Sequence, residues 1–302
     1  MDNELISRIV ESFSVQLRND GPKHGLSGAG VYFATADNDM SCVLKVSSDV
    51  GSDGEWTAAR RELEFYRSLS AHTQVRTPEL LAVYEDDQAI GLLLSAEGLV
   101  RAAPSWSRQN WLDLVVDLAR IHNSDLLDDG RWTDSKSQFD ALLNPDLAMV
   151  EDFWREQLGG LLDVIFDSRT ALQAAILAGG ETFVHGDCHT ENILVNGDGE
   201  LVWIDWQSAR IGSASRDLAF LDARATPSGA GVPADVLVKY CESRGLDSVV
   251  MRRSVVAAEL AVFIFEWPPY ASYDTPVGTQ RVRRRARDLA AEWCEIAGLD
   301  WV

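Results

Sequence analysis

The 302-residue sequence predicts an α+β chain in two parts: a strand-rich lobe over 1–97 and a larger, mainly helical lobe over 98–302. Three observations predict it. Short runs of β-branched and aromatic residues between turn residues fill the first third, apolar spacings of three and four dominate the remainder, and one β island interrupts the helices at 183–204.

Residues 4–18 place Ile6, Ile9, Val10, Phe13 and Leu17 at helical spacing, which predicts an amphipathic helix. The glycine-rich stretch Gly25-Leu26-Ser27-Gly28-Ala29-Gly30 precedes a strand at Val31–Thr35. Asp37-Asn38-Asp39 supplies a turn, and Cys42–Val46 returns as an antiparallel partner interrupted by one cation, Lys45. A helix follows over 55–69, starting near Asp53 or Gly54, with Glu55 in the first turn where the helix dipole favours negative charge. Strands at Leu80–Tyr84 and Ala89–Ser95 flank the polar turn Glu85-Asp86-Asp87-Gln88.

In the second lobe, 106–122 carries the apolar stripe Trp111, Leu114, Val115, Leu118 and Ile121. Helices are expected near 147–158 and over 160–178, the latter stopped by Gly179-Gly180. The β island comprises Phe183-Val184, Ile193–Val195 and Leu201–Ile204, with Asn196-Gly197-Asp198-Gly199 as a hairpin turn of the Asn-Gly type. Helices return near 216–224, 233–243, 248–266 and 279–297.

Charge narrows the classes of partner. With 27 basic and 47 acidic residues the net charge is 27 − 47 = −20, which repels phosphate backbones and anionic headgroups. Nucleic acid and membrane surfaces are therefore not expected partners. Residues 99–280 alone hold 14 basic and 27 acidic residues, 14 − 27 = −13, which suits a cationic small molecule; an acidic, solubilising surface accounts for the same surplus. Four scattered cysteines, Cys42, Cys188, Cys241 and Cys294, form no C-x-x-C pair. The N-terminus lacks a signal pattern, and no run of about 18 apolar residues occurs, so a cytoplasmic protein is expected.

The chemistry gathers in 183–206. Asp187 and Asn192 lie five apart on an inter-strand loop, and the hairpin over 193–204 returns the chain to deliver Asp205 beside them. Asparagine amide and carboxylate oxygens suit a hard divalent cation, and a further carboxylate can take a proton from an attacking hydroxyl. Each Asp alone reads as a turn residue; the ordered combination is what points to catalysis. A zinc or iron site at His185, Asp187 and His189 is the competing reading, and it leaves Lys45, Asn192 and Asp205 unexplained. Cys188 reads as a packed side chain. The basic run Arg281, Arg283, Arg284, Arg285, Arg287 reads as a solvated helix face, and the ten tryptophans as mostly core.

The pattern His185-Gly186-Asp187-x-His189-x-x-Asn192-Ile193-Leu194, then Ile204-Asp205-Trp206, then Gly212 and Asp217-Leu218-Ala219, resembles the aminoglycoside phosphotransferase and choline kinase-like small-molecule kinases. The resemblance implies a protein-kinase-like two-lobed fold, with an antiparallel sheet and one helix in the first lobe and a mainly helical second lobe. It implies Asp187 as catalytic base, Asn192 and Asp205 as Mg²⁺ ligands, and His185, His189 and Asp217 as supports of the loop. In the first lobe, Gly25, Ser27, Gly28 and Gly30 would cover the nucleotide phosphates. By itself that stretch is a tight turn, since it lacks the G-K-[ST] of a P-loop and the strand–G-x-G-x-x-G–helix context of a dinucleotide site. Lys45 would contact the phosphates and needs an acidic partner, Glu62 or Glu64, of which Glu62 better matches the family. Ser95 and Glu97, in the hinge ending at Gly98, would receive the base of ATP or GTP, and Asp222, Glu266 and Trp267 would contribute to acceptor binding.

The implied reaction is Mg²⁺-dependent transfer of the γ-phosphate of ATP or GTP to a hydroxyl of a small molecule, an aminoglycoside or other hydroxylated antibiotic. A metabolic kinase for choline, an amino alcohol or a sugar is the alternative. A non-catalytic binding module is another, against which stand Lys45, Asp187, Asn192 and Asp205. A protein kinase fits less well: His-Gly-Asp replaces His-Arg-Asp, Ile-Asp-Trp replaces Asp-Phe-Gly, and no Ala-Pro-Glu follows.

Overall fold

In the computed structural model, residues 3–18, 23–24, 29–48, 53–124, 130–133 and 138–300 are described. The order is α1 (Asn3–Phe13), β1 (Gln16–Leu17), β2 (Lys23–His24), β3 (Gly30–Thr35), β4 (Ser41–Ser48), α2 (Asp53–Ser68), β5 (Leu80–Glu85), β6 (Ala89–Ser95), β7 (Leu99–Val100), α3 (Arg108–His122), α4 (Asp140–Leu143), α5 (Leu147–Leu158), α6 (Gly160–Asp167), α7 (Arg169–Ala178), β8 (Glu181–Val184), β9 (Ile193–Val195), β10 (Leu201–Trp203), β11 (Arg210–Ser213), α8 (Ala214–Ala225), α9 (Asp235–Arg244), α10 (Ser248–Ala261) and α11 (Pro276–Ala297). Among the described residues no helix is long and apolar enough to cross a membrane.

The chain divides into two compact units, Met1–Leu99 with Ile193–Ala209, and Val100–Asn192 with Arg210–Val302. The hairpin β9–β10 and Asp205 thus group with the first unit, whereas the sequence reading keeps them within 98–302. Long-range bonds inside the first unit account for this: Trp203 N–H donates to the Arg76 carbonyl at 2.8 Å, and Arg76 pairs with Glu200.

The first unit is built on an antiparallel sheet in the order β1-β3-β4-β6-β5, with β2 also on β3. Its apolar face packs Ala34, Leu44, Val46 and Leu93 against Ile6 and Ile9 of α1. The first helix stops at Phe13 rather than near 18. Ser14 takes a positive φ of 53°, and Gln16–Leu17 then pair with Thr35 and Ala34, because the edge of β3 offers backbone partners that one more helical turn would not.

The second unit surrounds a core containing Trp154, Leu162, Phe263 and Trp293. Four helices begin where the sequence supplies a cap: Ser107 with Asn110 for α3, Asp146 for α5, Asp247 for α10 and Thr275 for α11. The expected single helix over 160–178 is two helices. Ser168 interrupts it, donating to the Ile165 carbonyl at 3.1 Å and accepting from Trp293 Nε1 at 3.2 Å. The helix expected to 266 leaves α geometry at Ala261 and continues as a π turn over Val262–Glu266. Four short strands among the described residues escape the sequence reading, β1, β2, β7 and β11; β11 pairs antiparallel with β8, from Arg210 opposite Val184 to Ser213 opposite Glu181. The β9–β10 turn places its positive φ on Gly199, while Asn196 Oδ1 accepts from the N–H groups of Asp198 and Glu200.

Candidate active site

The candidate residues fall into two groups, one in each unit. In the first unit, Lys45 sits mid-strand on β4, opposite Val31 and Leu92, where strand alternation turns its side chain toward α2. Its Nζ lies 2.7 Å from Glu62 Oε2 and 2.5 Å from Asp205 Oδ1. Burial opposes the ammonium charge, but the Asp205 and Glu62 carboxylates outweigh it and hold Lys45 above its ordinary range. Glu62 is the partner. Glu64 accepts a hydrogen bond from Ser68 on its own helix instead.

Asp205 adopts the left-handed conformation, φ 64° and ψ 59°, an uncommon state for a residue other than glycine that occurs at sites where geometry is over-determined. Aromatic packing supplies the constraint. The Trp206 ring stacks on Phe65 of α2 at 3.9 Å between centroids, and Trp206 Nε1 donates to the Trp203 carbonyl. The same contact aligns Glu62, three residues before Phe65, with the residue preceding Trp206.

Ser95 Oγ donates to Glu97 at 2.7 Å and accepts from the Glu79 N–H, which shapes the segment after β6. Gly98 is required there. A Cβ at this position would lie 2.7 Å from the Val195 carbonyl oxygen. Gly30 opens β3 opposite Val46, whereas Gly25, Ser27 and Gly28 lie outside the described residues.

In the second unit, the loop after β8 carries His185, Asp187, His189 and Asn192. Asn192 Nδ2 donates to both the carbonyl and the Oδ2 of Asp187, at 3.0 and 2.9 Å, and His189 Nε2 lies 3.5 Å from Asp187 Oδ1. Burial would raise the Asp187 carboxyl, but His189, His185 and Asn192 outweigh it and hold it well below the usual carboxylate range. Asp217, at the start of α8, ties down the loop behind: Oδ2 accepts from His185 N at 2.8 Å and Oδ1 from Gly186 N at 2.9 Å. Gly186 has φ 81°, which a side chain would strain.

The zinc or iron reading loses its ligands here. His185 Nδ1 accepts from Asp187 N and His189 Nδ1 from Glu191 N, and among the described residues no group of three or more His, Cys, Asp or Glu side chains could hold a metal ion. Cys188 is buried, and burial together with Asp217 and Asp187 pushes its thiol well up, as suits a packed side chain.

A model of the phosphotransferase enzyme family matches residues 21–249. The chain belongs to that family. It is a kinase, transferring phosphate to a hydroxyl acceptor, on a protein-kinase-like fold. Among solved structures, the phosphotransferase is similar to a choline kinase from Streptococcus pneumoniae, with a TM-score of 0.61, 15% identity, and coverage of 96% of this chain and 98% of that one. It is similar to a macrolide 2′-phosphotransferase from Brachybacterium faecium, with a TM-score of 0.55, 18% identity, and coverage of 95% and 97%. An aminoglycoside phosphotransferase from Streptomyces rimosus, in complex with ADP and streptomycin, gives a TM-score of 0.54 at 16% identity, covering 85% and 97%. No curated protein sequence matches the chain.

The three candidate acceptor residues of the phosphotransferase do not meet. Glu266, in the π turn, receives Arg216 Nη2 on both carboxylate oxygens, at 2.7 and 2.9 Å, and so reaches the residue before Asp217. Trp267 is buried with its ring 5.5 Å from Phe263. Asp222 points elsewhere. It lies about 200° around α8 from both Phe220, whose ring is 6.2 Å from His189, and Arg224, which pairs with Glu191. Asp222 instead shares Arg285 with Glu259 and lines a cavity of about 540 Å³ with Leu218, Leu221 and Val236.

The sequence reading missed several residues around these groups. Arg285 was expected on a solvated face but turns inward to Glu259, which is 2% exposed at its side chain. Phe65 and His122 carried only weak signals, an aromatic one turn beyond Glu62 and a polar residue closing the apolar stripe of α3.

Proposed function

We propose that this phosphotransferase moves the γ-phosphoryl group of ATP or GTP, with Mg²⁺, to a hydroxyl of an antibiotic, an aminoglycoside or another hydroxylated compound. The single observation that supports the site assignment is the buried Lys45 bracketed by Glu62 and Asp205, a cation placed for nucleotide phosphates and held in its charged form. Asn192 and Asp205, each in its own unit, carry the kind of oxygen that a hard divalent cation takes, and they would hold the metal. The Asn192 amide nitrogen is committed to Asp187, which leaves its Oδ1 as an oxygen donor, and Asp205 adds a carboxylate whose Oδ2 is approached by Gln207 Nε2 at 3.5 Å. Bound there, Mg²⁺ would supply charge neutralisation on the phosphates.

Asp187 orients the acceptor hydroxyl and takes its proton as the acceptor O–P bond forms and the bond to the β-phosphate oxygen breaks, leaving ADP or GDP. A very acidic carboxylate is a weak base before the reaction, so orientation is the larger part of its role until oxygen–phosphorus bonding makes the hydroxyl proton acidic. Ser95 and Glu97 border the base, and Glu266 and Trp267 border the acceptor. A surplus of 14 − 27 = −13 over residues 99–280 favours a polyamine-bearing acceptor, and it equally suits a choline-like cation, which makes a metabolic kinase the second reading. The cytoplasm, where nucleotide triphosphates are abundant, is the proposed site of action.

The test is a coupled assay of ADP or GDP release over aminoglycosides, macrolides, choline, amino alcohols and sugars, run with each nucleotide. Turnover confined to choline or a sugar would replace the antibiotic reading. Asp187→Ala abolishes transfer while nucleotide binding persists; near-normal turnover of this variant would sink the site assignment.

A further inference from the structure

Behind the Asp187 loop, a buried chain of hydrogen bonds crosses three helices. Asp217 Oδ2 lies 3.2 Å from His122 Nε2 at the end of α3, His122 Nδ1 lies 2.6 Å from the Tyr240 hydroxyl on α9, and Arg244 Nη1 lies 2.9 Å from that same hydroxyl. Arg244 Nε also donates to Asn123, the residue after His122. Asp217, His122 and Tyr240 are all at most 2% exposed. Groups buried this deeply need hydrogen-bond partners close by, and each finds one within the chain.

With the ring neutral, counting donors and acceptors leaves one consistent assignment. An ionised Asp217 only accepts, so the His122 nitrogen facing it carries a hydrogen. A neutral imidazole has a single N–H, so Nδ1 is an acceptor and Tyr240 must donate to it. The tyrosine oxygen is then free to accept from Arg244, which only donates. Every proton runs one way, from Arg244 through Tyr240 and His122 to Asp217, and Asp217 in turn fixes the N–H groups of His185 and Gly186 immediately before Asp187. Burial favours the neutral ring; Asp217 opposes it, while Arg244 and His185, the other charged or titratable neighbours, work in the same direction as burial.

We infer that His122, held as the Nε2–H tautomer by Tyr240, is a positioning residue for phosphoryl transfer: it orients Asp217 and through it the loop that presents Asp187. The inference rests on the reading of Asp187 as the group that faces the acceptor hydroxyl. His122 is buried between Tyr240 and Asp217, so its loss is expected to fall on the geometry of the reacting complex and not on the affinity of either substrate.

The test pairs kinetics with spectroscopy on the full chain. His122→Leu is expected to lower kcat about 10- to 100-fold with little change in either KM, as a misplaced catalytic group does. His122→Gln, whose amide nitrogen reaches the place of Nε2, is expected to recover most of that loss, which a role in packing alone would not reward. Tyr240→Phe is expected to cost about fivefold in kcat, the worth of one hydrogen bond. Should His122→Leu fail to fold, ¹⁵N-histidine NMR of the unaltered protein still decides, since it reports which nitrogen of His122 bears hydrogen. An imidazolium or an Nδ1–H tautomer overturns the inference, as does wild-type kcat in folded His122→Leu or Tyr240→Phe. Inactivity of Asp187→Ala alongside full activity of His122→Leu overturns this inference alone; activity of Asp187→Ala overturns the assignment on which it rests.

Discussion

Lys45 and Asp205 stand 160 residues apart in the chain and 2.5 Å apart in the fold, with Glu62 at 2.7 Å from the same nitrogen. This triad is a buried charge cluster, and its members depend on one another. Removing the cation leaves two carboxylates, one of them nearly inaccessible to water, without compensation. Lys45→Met should therefore destabilise the first unit by about 3–5 kcal/mol and abolish nucleotide binding. Chemical denaturation and nucleotide titration of the variant check both; an unchanged denaturation midpoint would show that the pair contributes nothing to the fold.

Asp205 holds its carboxylate in a left-handed turn beside Trp206, so its removal should alter the response to metal more than the fold. Asp205→Ala is expected to shift the Mg²⁺ concentration needed for half-maximal nucleotide binding upward by at least tenfold, as loss of a carboxylate ligand from a hard cation does. Chelation of divalent ions should stop turnover of the unaltered enzyme. A Mg²⁺ titration curve that superimposes on the wild type would remove Asp205 from the metal site.

Gly98 tests the packing of the segment after β6 against β9 separately from the chemistry. A methyl group there meets the Val195 carbonyl oxygen at 2.7 Å, and that atom belongs to backbone that cannot rotate away. Gly98→Ala should cost about 1–3 kcal/mol, typical of forced overpacking, read by thermal or denaturant unfolding. Wild-type stability would mean that β9 moves aside freely.

His122 predicts an acid limit to stability. Its folded pKa lies below the ordinary 6.5, chiefly through burial, so the unfolded chain binds the proton more readily than the folded one. The stability it contributes is complete above that value and is lost as the pH falls through it, at a rate of up to about 1.4 kcal/mol per pH unit. His122→Gln should flatten the decline between pH 6.5 and lower values. Parallel unfolding curves at neutral and mildly acidic pH measure this, and identical slopes for the two proteins would exclude His122 as the source.

The short-range chemistry was largely legible in the sequence. Asn-Gly-Asp-Gly marks the β9–β10 hairpin, Lys45 stands out as the lone cation of an apolar strand, and the spacing of Asp187 and Asn192 matches the hydrogen bond between them. The ends of elements were less legible. Leu17 satisfies a helical stripe and a strand equally, Ser168 ends α6 because Trp293, 125 residues later, donates to its hydroxyl, and β11 is too short to announce itself without β8.

What the sequence determined by itself was the type of the longer helices and strands and the motif that marks the phosphotransferase family, because periodicity and motif spacing are properties of neighbouring residues. Only the tertiary structure decided which groups are partners. It chose Glu62 over Glu64 for Lys45, turned Arg285 and Asp222 toward each other and away from the His189 side of α8, and ran the His122–Asp217 bond between α3 and α8. The physical reason is common to all three. A buried charge or polar hydrogen must be satisfied by whatever side chain the packing brings within reach, and packing joins residues tens to hundreds of positions apart.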